Sequence, residues 1–255
     1  MAALLATRLP GRRASRFARA GARRRAGAGA TLAQTTRLRV GTGPVVARFV
    51  HFTDLHHKGD RPFLARVIRR INSLRPDFVC FTGDIVEEAR YLDEALAGIR
   101  TIKAPVYGVP GNHDYWAGAD FAKVERAFAD TGGAWLPDRA AVAPGGKVTL
   151  LGSSCTRRFA LAPVPGRRNV ALIHYPSVVE SLPPRRFDLV LAGHSHGGQV
   201  RLPFVGALVK PFAVDAYELG RYETAAGPLY VGAGIGWFYL NVRFLCRPEV
   251  TVVEV

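Results

Sequence analysis

Short apolar runs that end in metal-binding residue types dominate the chain from Val45 onward. The runs Arg48–Thr53, Phe78–Thr82, Val106–Val109, Val148–Gly152, Val170–Ile173 and Leu189–Ala192 predict strands. Asp54 and His56 follow the first, Asp84 the second, and Asn112-His113-Asp114 the third; His174 follows the fifth, and His194 and His196 the sixth. In layered α/β sheets, ligands gather at the carboxyl ends of strands. Five of the six runs therefore point their chemistry to one place.

Amphipathic stretches separate these runs, the alternation expected of an α/β or mixed sandwich. Phe63, Leu64, Val67, Ile68, Ile71 and Leu74 recur at helical spacing, with Pro62 suited to a first turn. Leu92, Leu96 and Ile99 predict a second helix, and Phe121, Val124 and Phe128 a third. Beyond His196, further strands are expected at Gln199–Leu202, Leu229–Val231 and Val250–Val255. The 255 residues suffice for a sizeable core. No apolar stretch is long enough to span a bilayer as a helix. Cys80, Cys155 and Cys246 are scattered and odd in number, which excludes a disulfide framework or a paired-cysteine zinc site.

The net charge of +15 is unevenly placed. Residues 1–40 carry ten arginines and no Lys, Asp or Glu, so they contribute +10; the other 215 residues hold 25 basic and 20 acidic groups, leaving +5. The chain thus divides into a basic Arg/Ala/Gly-rich tail (1–40), expected to be disordered through about residue 35, and one domain (41–255). The tail has features of a twin-arginine export signal, a cleavable transit peptide and a basic arm for nucleic acid or anionic lipid. A solvated extension, or a start codon assigned too early, is the favoured reading of its composition.

The pairs Asp54-Leu55-His56 and His194-Ser195-His196 are spaced i, i+2, so in extended backbone their side chains project to one side. Gly83, Gly111 and Gly193 precede Asp84, Asn112 and His194, where they permit backbone conformations that a side chain would obstruct. Two aspartates, one asparagine and four histidines make a nitrogen and oxygen donor set suited to Mn, Fe, Zn or Mg. Seven ligands exceed one tetrahedral ion and suit two ions sharing a carboxylate. Such a pair, about 3.5–4 Å apart, clamps a phosphoryl group and lowers the pKa of a bound water.

The ordered blocks Asp54-Leu55-His56, Gly83-Asp84, Gly111-Asn112-His113-Asp114, His174 and Gly193-His194-Ser195-His196 resemble the calcineurin-like metallophosphoesterase family. The resemblance runs from about Thr36 to Val255. It implies an α/β (α+β) fold, a four-layer αββα sandwich of two mixed β-sheets flanked by helices. It also implies two divalent ions: Asp54, His56 and His196 on the first, Asn112, His174 and His194 on the second, and Asp84 bridging. A hydroxide between the ions would attack phosphorus, with His113 serving the leaving oxygen and Asp114 orienting His113. Gly197-Gly198-Gln199 and Arg201-Leu202-Pro203 are similar to bacterial membrane-associated phosphodiesterases, a branch that includes UDP-2,3-diacylglucosamine pyrophosphatases of lipid A synthesis. Gly232-Ala233-Gly234-Ile235-Gly236 departs from the Ser-Arg-Gly-Leu-Gly-like turn of that branch.

The resemblance leads to the expectation of a phosphodiester or pyrophosphate hydrolase acting on a small or lipid-linked substrate such as a UDP-sugar. The expected location is cytoplasmic, peripheral at the inner membrane. Nucleic acid is a disfavoured partner, and no obligate protein partner is evident. Competing readings are a nucleic-acid phosphodiesterase or binding protein using the tail, and a non-catalytic scaffold of the same fold. His51 reads as satisfied packing, and His57 as solvent-facing or as a support for its neighbours. The arginine pairs Arg157-Arg158, Arg167-Arg168 and Arg185-Arg186 read as a solvated face. The run Trp237–Leu245 reads as a strand or turn buried against the core, with an acyl-admitting rim as the alternative.

Overall fold

A computed structural model describes residues 33–155, 159, 161–238 and 241–255; most of the tail, Arg157-Arg158 and Tyr239-Leu240 lie outside the described residues. The first half of the chain runs β1 (Gln34–Arg39), β2 (Arg48–Phe52), α1 (Arg61–Ser73), β3 (Val79–Phe81), α2 (Leu92–Ile99), β4 (Val106–Gly108), α3 (Asn112–Trp116) and α4 (Phe121–Asp130). Then come β5 (Ala134–Trp135), β6 (Ala140–Val142), β7 (Val148–Gly152), β8 (Arg168–Leu172) and β9 (Leu189–Ala192). The last strands are β10 (Arg201–Leu202), β11 (Gly206–Ala207), β12 (Gly220–Glu223), β13 (Pro228–Val231) and β14 (Glu249–Glu254).

Two six-stranded mixed sheets form, in the orders β1-β14-β2-β3-β4-β5 and β12-β13-β9-β8-β7-β6. The β2, β3 and β4 strands are mutually parallel, as are β7, β8 and β9. Their residues alternate between layers because successive side chains in a strand point to opposite faces. Phe49, Phe78, Tyr107, Leu150, Leu172 and Leu191 fill the space between the sheets. Val50, Phe52, Val79, Phe81 and Val106 face the other way, onto α1, α2 and α4. The outer face of the second sheet, with Ala171, Ile173 and Val190, packs on the 3₁₀ helix Pro176–Ser181. Burial on both faces explains why these strands read as unbroken apolar runs.

Local chemistry sets the helices. The Asp60 carboxylate accepts from the Phe63 N–H at 2.9 Å and caps α1, whose buried Leu64, Val67, Ile68 and Ile71 form one stripe. Asp120 caps α4 through the Ala122 and Lys123 N–H groups.

Two expectations need correction. Gln34–Arg39 falls within the expected tail, yet it pairs in parallel with Glu249–Glu254 and so belongs to the folded sheet. Only Leu38 of this edge strand is buried, and the flanking Arg37 and Arg39 disguise it as tail. The run from Trp237 to Leu245 forms no strand among the described residues, and Val242, Phe244 and Leu245 are about half exposed.

Phe128 is fully buried against Trp135, with ring centroids 4.8 Å apart, and against Phe81. Phe128→Ala should lower unfolding free energy by about 3–5 kcal/mol in urea titrations, through the lost contacts and the cavity left behind.

Candidate metal centre

The segments after β2, β3, β4, β8 and β9 deliver the candidate ligands to one edge of the sandwich, where the carboxyl ends of the parallel strands meet. The backbone there is unusual. Asp54, His56, Asp84, His194 and His196 have φ of 52°, 40°, 63°, 65° and 49°. Non-glycine residues avoid this left-handed region, and proteins tolerate it chiefly where function requires a fixed geometry. Close approach explains two of the glycines. A Cβ on Gly111 would sit 2.1 Å from Asp84 Oδ1, and one on Gly83 would sit 2.7 Å from His174 Nδ1.

All seven candidate ligands converge. Asp54, His56 and His196 form one group, and Asp84, His174 and His194 another, with ligand atoms in each within 4.8 Å of one another. Asp84 joins the groups: its Oδ2 lies 3.4 Å from His56 Nε2 and 3.3 Å from His174 Nε2. Asn112 Oδ1 is 2.9 Å from His174 Nε2. His196 Nε2 and His56 Nε2 stand 2.9 Å apart, each directed at the other. His174 donates from Nδ1 to the Thr82 carbonyl at 2.7 Å, and His194 from Nε2 to the Phe212 carbonyl at 2.8 Å. These bonds commit His174 Nδ1 and His194 Nε2 to backbone carbonyls and leave the other nitrogen of each ring for the ligand group.

The donor set fits divalent cations. Asp84 Oδ2 and Asn112 Nδ2 are buried with no hydrogen-bond partner, and Asp54 and Asp84 are almost wholly excluded from solvent. Buried carboxylates converging on unpartnered atoms call for positive charge. The protein supplies part of it. Burial alone would raise the Asp84 pKa, but the His174, His56 and His113 imidazoles hold it far below the usual carboxylate range. Burial disfavours charge on His174, yet the Asp84 and Asp54 carboxylates raise its pKa to about 9. Asp54, with less help, has its pKa raised by burial.

Asp114 departs from the expected arrangement. Its carboxylate accepts from the N–H groups of Asp84 (3.0 Å), Ile85 (2.7 Å) and Gly111 (2.9 Å) instead of facing the His113 ring. It fastens the loops after β3 and β4 together, and burial raises its pKa to about 6. The His113 ring is held by Glu87, a residue the sequence reading did not select. Glu87 Oε2 lies 2.9 Å from His113 Nδ1, and Oε1 2.5 Å from His56 Nδ1. Its position three residues after Asp84, directly behind the apolar pair Ile85-Val86, was the available signal. Arg243 was also missed: it donates to the Ala233 and Gly236 carbonyls, and Nη2 lies 3.3 Å from His196 Nδ1. No spacing connects it to His196, 47 residues earlier. His51 is buried and pairs with Thr82 Oγ1 at 2.8 Å, as packing. His57 is buried, not solvent-facing, and meets Glu94 at 2.7 Å.

A model of the calcineurin-like phosphoesterase family matches residues 47–198. The chain is 30% identical to the uncharacterised metallophosphoesterase YkuE of Bacillus subtilis, over 80% of this chain and 77% of that protein. It is 27% identical to the phosphodiesterase YaeI of Escherichia coli, over 81% of each. It is also 26% identical to the UDP-2,3-diacylglucosamine pyrophosphatase LpxG of Chlamydia trachomatis, over 81% of this chain and 83% of that one.

Asp114→Ala leaves three backbone donors without their acceptor, so thermal unfolding should show a loss of at least about 1–3 kcal/mol. Glu87→Gln should leave the melting temperature nearly unchanged and weaken Mn²⁺ binding about 10-fold in calorimetric titration, through the lost support of His56.

Proposed function

The chain belongs to the calcineurin-like phosphoesterase family and is a metal-dependent hydrolase, and on that premise we propose that it cleaves a phosphodiester or pyrophosphate at a dinuclear centre. The observation that carries this reading is the Asp84 carboxylate, unpartnered at Oδ2 and within 3.4 Å of imidazoles from both ligand groups. Asp54, His56 and His196 would hold one ion, and Asn112, His174 and His194 the other, with Asp84 spanning both. Two divalent cations so held supply Lewis-acid polarisation of the phosphoryl oxygens and a water of lowered pKa.

The remaining chemistry belongs to the chain. Because Glu87 engages His113 Nδ1, the proton on Nε2 is the one available to a leaving oxygen. Burial resists protonation of this ring, but the Glu87 hydrogen bond and the Asp84 and Glu87 charges raise its pKa. The imidazolium therefore persists towards neutral pH as a general acid. Trp116 and Phe238 flank the ring, with centroids 4.8 and 5.4 Å away, and restrict water around it. Glu87 is thus the positioning group, and Asp114 acts through the backbone that carries Asp84.

The relatives' described activities favour a diester or pyrophosphate over a monoester, and a nucleotide-linked acylated sugar is one substrate class they suggest. A hydrolysis panel should compare an artificial phosphodiester, a monoester, cyclic nucleotides, DNA and a UDP-linked acylated sugar, each with Mn, Zn, Fe or Mg. Turnover of a diester or pyrophosphate is expected; inactivity with every metal overturns the reading. Asp84→Asn should abolish turnover and weaken metal binding. His113→Ala should lower kcat by about 10²–10⁴-fold with metal content retained; metal loss in that variant contradicts its role.

A further inference from the structure

Most of the exposed large hydrophobic side chains lie in one region. Of fourteen among the described residues, nine fall within Leu202–Phe212 and Val242–Leu245. The first segment contains the small hairpin β10–β11, and Phe204 at its tip is fully exposed at φ 67°. Val205 and Val209 are 69% and 70% exposed. The second segment lies beside the first: Phe244 donates its N–H to the Gln199 carbonyl and accepts from Arg201 N–H at 3.0 Å. Exposed apolar groups scattered singly need no explanation, but a contiguous surface of them does.

This surface adjoins the metal centre. The hairpin packs on the loop that carries His196, since a Cβ on Gly198 would fall 2.2 Å from Ala207 Cβ. Phe212, at the end of the segment, accepts from His194 and lies 6.3 Å, ring to ring, from Trp116 at the mouth of the site. Charge sorts in the same place. Of the cations in residues 199–214 and 237–248, Lys210 and Arg247 are exposed, while Arg201 is half-buried and Arg243 turns inward to His196; neither segment contains an acidic side chain. Glu218 pairs with both Arg201, at 3.3 Å, and Lys210, at 2.9 Å, so one carboxylate offsets two cations.

We propose that this face docks on an anionic lipid bilayer, with the Phe204-Val205 tip and the Phe244-Leu245 loop entering the boundary between headgroups and acyl chains. An apolar tip flanked by cations is the arrangement that binds such a boundary, by apolar burial plus attraction to anionic lipid. A second copy of the chain fits less well, because a two-fold contact sets the same cations against each other. Docking turns the mouth between Trp116 and Phe212 towards the lipid surface, where a lipid-borne phosphoester would enter. That consequence rests on the proposed hydrolase reading; binding itself is measured without turnover.

The test is co-sedimentation of the full chain with phosphatidylcholine vesicles, with and without phosphatidylglycerol, at low salt and at about 0.5 M salt. High salt shortens the Debye length to a few Å and suppresses attraction by the Arg-rich tail. Binding to phosphatidylglycerol vesicles should persist at high salt, and the double substitution Phe204→Ser, Val209→Ser should weaken it at least about 10-fold. Hydrolysis of a soluble diester by that variant should stay at the parent rate, so failure of docking and failure of catalysis remain separable. In Phe204→Trp, emission should shift to the blue on vesicle addition. Equal high-salt binding by parent and double variant, no vesicle binding at all, an unshifted Phe204→Trp spectrum, or a dimer abolished by the double substitution would each overturn the proposal.

Discussion

The burial of the Asp84 carboxylate is the constraint around which the molecule is organised. A carboxylate removed from water is costly unless neighbouring charges and donors replace its hydration. Asp84 Oδ1 accepts from the His113 N–H at 2.8 Å, while Oδ2 is left to the imidazoles of His56 and His174. One oxygen is satisfied by the chain, and the other is held open in a pocket whose donors come from both sheets. That asymmetry suits a group whose second oxygen is available to a metal ion, and makes Asp84 the hinge between the two groups of candidate ligands.

Holding that geometry requires a rigid surround. The first sheet brings Asp54 and Asp84, the second brings His174 and His194, and the two meet where His194 N–H donates to Asp54 at 3.0 Å. Asp114 ties the loops after β3 and β4 together, so the position of Asp84 depends on a neighbour that reaches only backbone. Five candidate ligands at positive φ store strain that only surrounding packing can sustain. A different set of contacts surrounds His113: Glu87 holds its ring, and the aromatic rings of Trp116 and Phe238 lie against it.

The molecule is also uneven in what it presents to its surroundings. Burial is nearly complete in the strands beneath the pocket, whereas the hairpin beside it exposes apolar side chains and no carboxylate. The same short segment, His196 to Phe212, supplies a candidate ligand at one end and a carbonyl for His194 at the other. Chemistry and surface character are therefore coupled by covalent proximity.

Much of the centre was legible in the sequence because the signals are local. Strands buried on both faces must be continuous apolar runs, so β2, β3, β4, β8 and β9 and the ligand types at their ends could be read directly. Motif order, through resemblance, supplied the family. What the sequence could not provide was any pairing across distance. Leu38 is one buried residue between two arginines, and only its partnership with Val253 in β14 makes that segment a strand. Asp114 adjoins His113 in sequence whereas Glu87 precedes it by 26 residues, so which carboxylate faced the ring awaited the path of the loop after β3. Arg243 reaches His196, and the exposed hairpin reaches the mouth of the site, only after the chain closes on itself. Residue type and local period determine which chemistry is present; the relative placement of elements far apart in the chain is set by packing, and it decides which groups share that chemistry.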